Sequence, residues 1–114
     1  MIDLYLQECN FAKSGLIKLT HKESEKLSKQ IPAWTLLEEQ SVMKLKRDYN
    51  FNDFVGALAF TNQLGKLAED QNHHPQMLIE WGRVTLTWWS HNLKGLHRND
   101  YIMAAKSDLL FQSY

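Results

Sequence analysis

Apolar positions change their period along this chain, and the changes mark out its elements. Residues 1 to 19 mix Ile2, Leu4, Leu6, Phe11, Leu16 and Ile17 with polar groups and Gly15, and hold neither a helical nor a strand period for long. They read as an irregular extension with a loosely ordered terminus, unless Leu4 and Leu6 find a groove to fill. Thr20 followed by Glu23 spells a capping box, in which the threonine accepts from a backbone N–H and the glutamate reaches back. Leu27 and Ile31 extend the apolar spacing, so a short helix is expected over residues 21 to 30, stopped by Pro32. Trp34, Leu36 and Leu37, the polar Glu38-Glu39-Gln40, and then residues 42 to 47 read as two short strands in a hairpin.

Asn52 or Asp53 can cap a second helix whose apolar positions form two stripes, Phe54, Val55 and Leu58 on one side and Ala57, Phe60, Leu64 and Leu67 on the other. One stripe can cover a sheet. The other, taken as the stripe from Ala57 to Leu67, would face water unless a second subunit covers it. Asn72-His73-His74-Pro75 breaks the helix, after which Met77, Ile79 and Trp81 alternate with Gln76, Leu78 and Glu80 as a strand does. Gly82-Arg83 is a plausible turn. Residues 84 to 91 follow as a second strand, with Val84, Leu86 and Trp88 on one face and Thr85, Thr87, Trp89 and His91 on the other. Beyond Gly95, Tyr101, Ile102, Ala105, Leu109 and Leu110 recur at helical spacing. The expected fold is α+β: a four-stranded antiparallel sheet with three helices packed on one face, in the order αββαββα.

Composition narrows the class. With 114 residues, 44% of them hydrophobic and 23% charged, the chain is one domain able to bury a core, which argues against disorder. Thirteen basic residues balance thirteen acidic ones, so the field that gathers nucleic acid or an anionic membrane is absent in bulk. Neutrality and 11% aromatics in so small a domain suggest a homodimer or homotetramer, formed through the helix near 53–69. A single cysteine, Cys9, permits no intrachain disulfide. No apolar run approaches 18 residues, and Asp3 and Glu8 stand where a secretory signal would be basic, so a cytoplasmic protein is expected.

His73, His74 and His91 are the candidate chemistry. A histidine pair in a loop and a third at a strand end could converge on one cleft, although adjacent loop histidines can equally be solvated surface. Glu69 could be a solvated helix residue, Asp100 a favourable charge at the N-terminus of the last helix, and Trp34 a core residue.

The run Glu69, His73-His74-Pro75, the aromatic Trp81, His91 seventeen residues after His74 and Asp100 nine residues further on resembles the pterin-4a-carbinolamine dehydratase family. The helix start at Leu19-Thr20, the Pro32-Ala33-Trp34 segment and the pair Phe51 and Phe54 are similar too. The resemblance covers residues 19–114 and leaves 1–18 as an N-terminal extension. It implies a dehydratase that converts 4a-hydroxytetrahydrobiopterin to quinonoid dihydropterin and water, recycling the pterin of aromatic amino acid hydroxylases with neither metal nor organic cofactor. Losing hydroxide from C4a needs a proton at the leaving oxygen, and the cation left behind is neutralised by giving up the N5 proton. Imidazole can do either near neutral pH. The resemblance makes His73 and His91 the acid–base pair, and His74 a catalytic-site residue that contacts substrate. Glu69 and Asp100 are then supporting acids, because a carboxylate beside an imidazole orients it. Trp34 would stack on the pterin, Pro75 would restrain the backbone after His74, and Ser90 and Asn92 would contact the pterin.

Two positions depart from the family's pattern. Asn72 replaces a common aspartate, and His97 stands where a serine or threonine would cap the last helix, which makes that helix start an open question. Two other functions compete. Three histidines could hold a metal, but neighbouring side chains on extended backbone point apart and no His-x-His spacing occurs. The protein could also act as a dimerisation cofactor for a transcription factor, as some members of the family do, through the stripe of Ala57, Phe60, Leu64 and Leu67.

Overall fold

The capping box at Thr20 forms as spelled. In the computed structural model, which describes residues 3–11 and 17–114, Glu23 N–H donates to Thr20 Oγ1 at 3.2 Å and Thr20 N–H to Glu23 Oε1 at 2.9 Å. They open helix α1, His21–Ser28. Strands β1, Thr35–Glu39, and β2, Val42–Asn50, follow as an antiparallel hairpin. Gln40 and Ser41 both take positive φ, 50° and 66°, the twist that a two-residue hairpin turn requires. Helix α2 runs Phe54–Gln71 from the Asp53 cap, whose side chain accepts from Gly56 N–H at 2.8 Å.

Strands β3, Gln76–Glu80, and β4, Arg83–Trp88, make the second hairpin. Its turn is Trp81-Gly82, one residue before the expected Gly82-Arg83, because Glu80 pairs across to Arg83. Trp81 is therefore an exposed turn residue and not a strand position. Gly82 has to be glycine: a Cβ there would lie 2.9 Å from the Phe51 carbonyl oxygen. Helix α3, Arg98–Phe111, ends the order.

The sheet order is β1-β2-β4-β3, so β2 and β4 are central, joined in the register Leu45↔Trp88 to Asn50↔Arg83. Leu45 and Tyr49 of β2 share a buried face with Val84, Leu86 and Trp88 of β4. Helices α2 and α3 cover that face: Tyr49 meets Phe60 of α2 and Phe111 of α3 with ring centroids 4.8 Å apart in both cases.

Three expectations need correcting here. The stripe of α2 expected to face water is the one in the core: Ala57, Phe60 and Leu64 are fully buried and Leu67 is half-buried. The open stripe is Phe54, Val55 and Leu58, 43%, 76% and 42% exposed. Spacing finds two stripes but not which one meets the sheet, and here the stripe whose Phe60 packs on Tyr49 of β2 takes the buried side. The helix start at His97 is sound, because His97 Nδ1 accepts from Asn99 N–H at 3.1 Å and Asp100 Oδ2 from His97 N–H at 2.9 Å, closing a capping box without serine or threonine. The extension, read as loose, has a docked part. Leu4, in a 3-10 turn over Leu4–Leu6, is fully buried, whereas Leu6 is exposed. Of the residues invoked there, Ile2, Gly15 and Leu16 lie outside the described ones.

Trp34 sits just before β1 in the core, edge-on to Tyr49 at 6.2 Å, and donates from Nε1 to both Asp108 oxygens at 3.0 and 3.1 Å. Asp108 also accepts from Tyr49 Oη and Arg47 Nη1, each at 2.5 Å. Burial, then the Asp108 carboxylate, push the Tyr49 hydroxyl well above its ordinary pKa, so it stays a donor. Among the described residues no helix is long and apolar enough to cross a membrane.

Candidate active site

The break between α2 and β3 builds one wall of a cleft. Asn72 ends α2 in the left-handed conformation, φ 52° and ψ 39°, with its N–H on the Glu69 carbonyl at 3.1 Å. Asparagine tolerates this conformation better than most residues, and a closing left-handed residue turns the chain out of the helix axis. That turn leads into His73, whose N–H still donates to the Ala68 carbonyl at 3.1 Å.

His73 is held on two sides. Its ring stacks on Trp88 of β4, with centroids 5.6 Å apart and planes 15° from parallel. Its Nε2 lies 2.6 Å from Asp100 Oδ1. Asp100 is fully buried in the first turn of α3, where its other oxygen accepts from Ser90 Oγ at 2.8 Å and from His97 N–H. When Asp100 is ionised it can only accept, and His73 then donates from Nε2 and keeps Nδ1 for a ligand. One carboxylate thus sits at the helix start and against the His73 ring at once.

The opposite wall follows β4. Ser90 is buried and its N–H donates to the Gly95 carbonyl at 2.8 Å, closing the loop that carries a 3-10 turn over His91–Leu93. His91 therefore lies in that turn, beyond the strand end where its alternation with Trp89 had placed it. The ring is exposed and stacks on Trp89, with centroids 4.4 Å apart and planes 11° from parallel, and Lys44 Nζ lies 4.1 Å over the Trp89 ring.

Between these walls lies an open cleft of about 430 Å³, a size that suits a small ligand. His73, His74, Ser90, His91 and Asn92 all line it. Glu69 and Asp100 stand behind its histidines. Glu69 Oε1 is 2.5 Å from His74 Nε2, an exposed contact that orients the ring, and Asp100 backs His73 in the interior. Pro75 is half-buried and sets the start of β3 outside the lining. Trp34 is not brought to the cleft; its ring belongs to the core beside Asp108. The sequence reading missed three contributors: Phe11 and Leu93, which line the cleft, and Asn72, which turns the chain into it and lines it too. Only Asn72 left a trace, as an asparagine at a helix end. Among the described residues no three His, Cys, Asp or Glu side chains are placed to share a metal ion.

Comparison with known proteins shows what the chain is similar to. The sequence profile of the family described as pterin 4 alpha carbinolamine dehydratase matches residues 17–110. Proteins of Saccharophagus degradans, Microcystis aeruginosa and Nitrosococcus oceani are 42%, 45% and 46% identical over 112 residues each. Those alignments span 98% of this chain and 97% to 99% of theirs, and all three carry the name "Putative pterin-4-alpha-carbinolamine dehydratase". Among solved structures, the transcriptional coactivator/pterin dehydratase of Brucella melitensis superposes with a TM-score of 0.75 at 26% identity, covering 82% of this chain and 98% of that one. A pterin dehydratase-like RuBisCO assembly factor of the alpha-carboxysome, at 23% identity and TM-score 0.56, shares the fold. This chain belongs to the pterin-4a-carbinolamine dehydratase family of hydro-lyases.

Proposed function

We propose that the enzyme dehydrates 4a-hydroxytetrahydrobiopterin to quinonoid dihydropterin by histidine acid–base catalysis, with no metal or organic cofactor taking part, and so recycles the pterin of aromatic amino acid hydroxylases in the cytoplasm. One of His73 and His91 delivers a proton to the C4a hydroxyl, the C4a–O bond breaks, and water leaves. The other takes the N5 proton, which neutralises the ring. His74, oriented by Glu69, holds substrate, with Ser90 and Asn92 on the facing wall. The observation that carries the reading is the opening of His73 and His91 onto one cleft, the first backed by a fully buried carboxylate. Positioned acid–base groups contribute about 10² to 10⁴ in rate, so the loss of either should be visible in a single-turnover assay of synthetic carbinolamine.

The family's domain is residues 19–114 and carries all the acid–base groups, and the protein self-associates as a homodimer or homotetramer through α2. The open stripe of Phe54, Val55 and Leu58 supports this, as an apolar helix face left in water calls for a cover. A second reading uses the same stripe to bind another protein, as a transcriptional cofactor; the name of the Brucella structure, which pairs coactivator with dehydratase, favours it. The two are separable, because the stripe and the cleft share no residue.

A further inference from the structure

The part of the chain before the family match is bound to residues that flank His73 and its carboxylate partner Asp100. Cys9 N–H donates to Gln71 Oε1 at 2.9 Å, two residues before His73. Asn10 N–H donates to Asn99 Oδ1 at 2.9 Å and Asn99 Nδ2 returns a bond to the Asn10 carbonyl at 3.0 Å, one residue before Asp100. Asn99 is buried, so this two-way amide bond is satisfied inside the protein and not by water. Further back, Leu4 is fully buried, its N–H on Gln30 Oε1 at 2.9 Å, and Arg98 Nε donates to Gln7 Oε1 at 2.9 Å.

These anchors hold the segment without help from Phe11, which follows them. The residue is 43% exposed and lines the cleft, with its ring 5.9 Å from the His73 ring at 49°. A phenyl ring half open to water beside the reacting groups, on a segment that does not need it for anchorage, is a surface for a flat ligand to cover.

Resting on the dehydratase reading of the cleft, we propose that residues 3–11 are a strap that carries Phe11 onto the pterin site, where its ring forms an apolar wall that positions the flat bicyclic ring and sets the affinity for it. Phe11 contacts substrate and moves no proton, so it governs binding more than the chemical step.

The test is calorimetric binding of 7,8-dihydropterin, a flat pterin without the leaving hydroxyl, to the unaltered protein, Phe11→Ala and Phe11→Tyr, with a thermal melt of each. The strap account expects Kd to rise about tenfold in Phe11→Ala, as loss of an aromatic stacking surface does elsewhere, and to stay within about twofold in Phe11→Tyr, with unchanged melting. Equal Kd for Phe11→Ala and the unaltered protein overturns it. If the unaltered protein binds dihydropterin without dehydrating carbinolamine, the dehydratase reading fails while the Kd ratio still decides the role of Phe11. No binding by the unaltered protein overturns both.

Discussion

His73 Nε2 and Asp100 Oδ1 stand 2.6 Å apart across 27 residues of sequence, and this contact ties the loop after α2 to the first turn of α3. The carboxylate has two further donors, Ser90 Oγ and His97 N–H, so its lone pairs are committed in fixed directions and the imidazole is fixed with them. Orientation of a general acid or base to within a few tenths of an ångström is what such backing supplies.

Asp100→Asn keeps the shape and removes an acceptor, since a carboxamide cannot accept from all three donors. The expected result is a fall in kcat of about tenfold or more with a smaller change in KM, read by stopped-flow absorbance. Ser90→Ala, which leaves His73 its partner, should cost less than Asp100→Asn. Equal losses would mean that the hydroxyl and not the dyad matters.

His97 caps α3 with an imidazole nitrogen, and burial, partly opposed by Asp100, holds its pKa below the ordinary 6.5. The unfolded chain then takes up the proton first as the medium becomes acidic. The cap's contribution is present above about pH 6.5 and is lost as pH falls through the lowered folded value. His97→Ser keeps a cap that does not titrate. Its melting temperature should fall less between pH 7.5 and 5.5 than that of the unaltered protein, and parallel falls would show that the cap does not titrate in this range.

The two faces of α2 predict opposite mutational outcomes. Val55→Asp, on the open stripe, should leave the fold intact and lower the mass measured by light scattering if α2 is the subunit contact. Phe60→Asp, at a fully buried site, forfeits about 1.5 to 3 kcal/mol of burial and adds a charge with no partner, so it should unfold the protein. An unchanged mass for Val55→Asp would place the interface elsewhere.

Cys9 is half-buried, and burial first, with Asp100 adding to it, pushes its thiol from the ordinary 9.0 up to about 12. At pH 8 the folded protein should alkylate with iodoacetamide at least tenfold more slowly than the protein in urea, because the thiolate is the nucleophile. Equal rates would mean that residues around Cys9 open freely in solution.

Much of this was legible in the sequence because it is local. The capping box at Thr20, a cap at one of the two candidates Asn52 and Asp53, and the alternation from Val84 to Trp88 each depend on neighbours a few residues away; the box forms, Asp53 is the cap, and β4 keeps the alternation but ends before His91. The histidine set was legible as a pattern of residues similar to one family, and the fold brings His73, His74 and His91 to one cleft. What could not be read is the relation between distant segments. The choice of buried stripe on α2 depends on the sheet, the place of Trp34 depends on Asp108 at a separation of 74 residues, and the docking of Asn10 depends on Asn99, 89 residues away. His97 failed as a sequence cap only because preference scales rank serine and threonine first, whereas geometry asks for any acceptor at that distance.

The central claim, that imidazoles facing one cleft carry the proton transfers, is tested most directly by stopped-flow dehydration of synthetic 4a-hydroxytetrahydropterin with the unaltered protein, His73→Ala and His91→Ala. The unaltered protein should accelerate water loss, and each variant should slow it by about tenfold or more while melting as a folded protein. Full activity in both folded variants, or no acceleration by the unaltered protein, would contradict it.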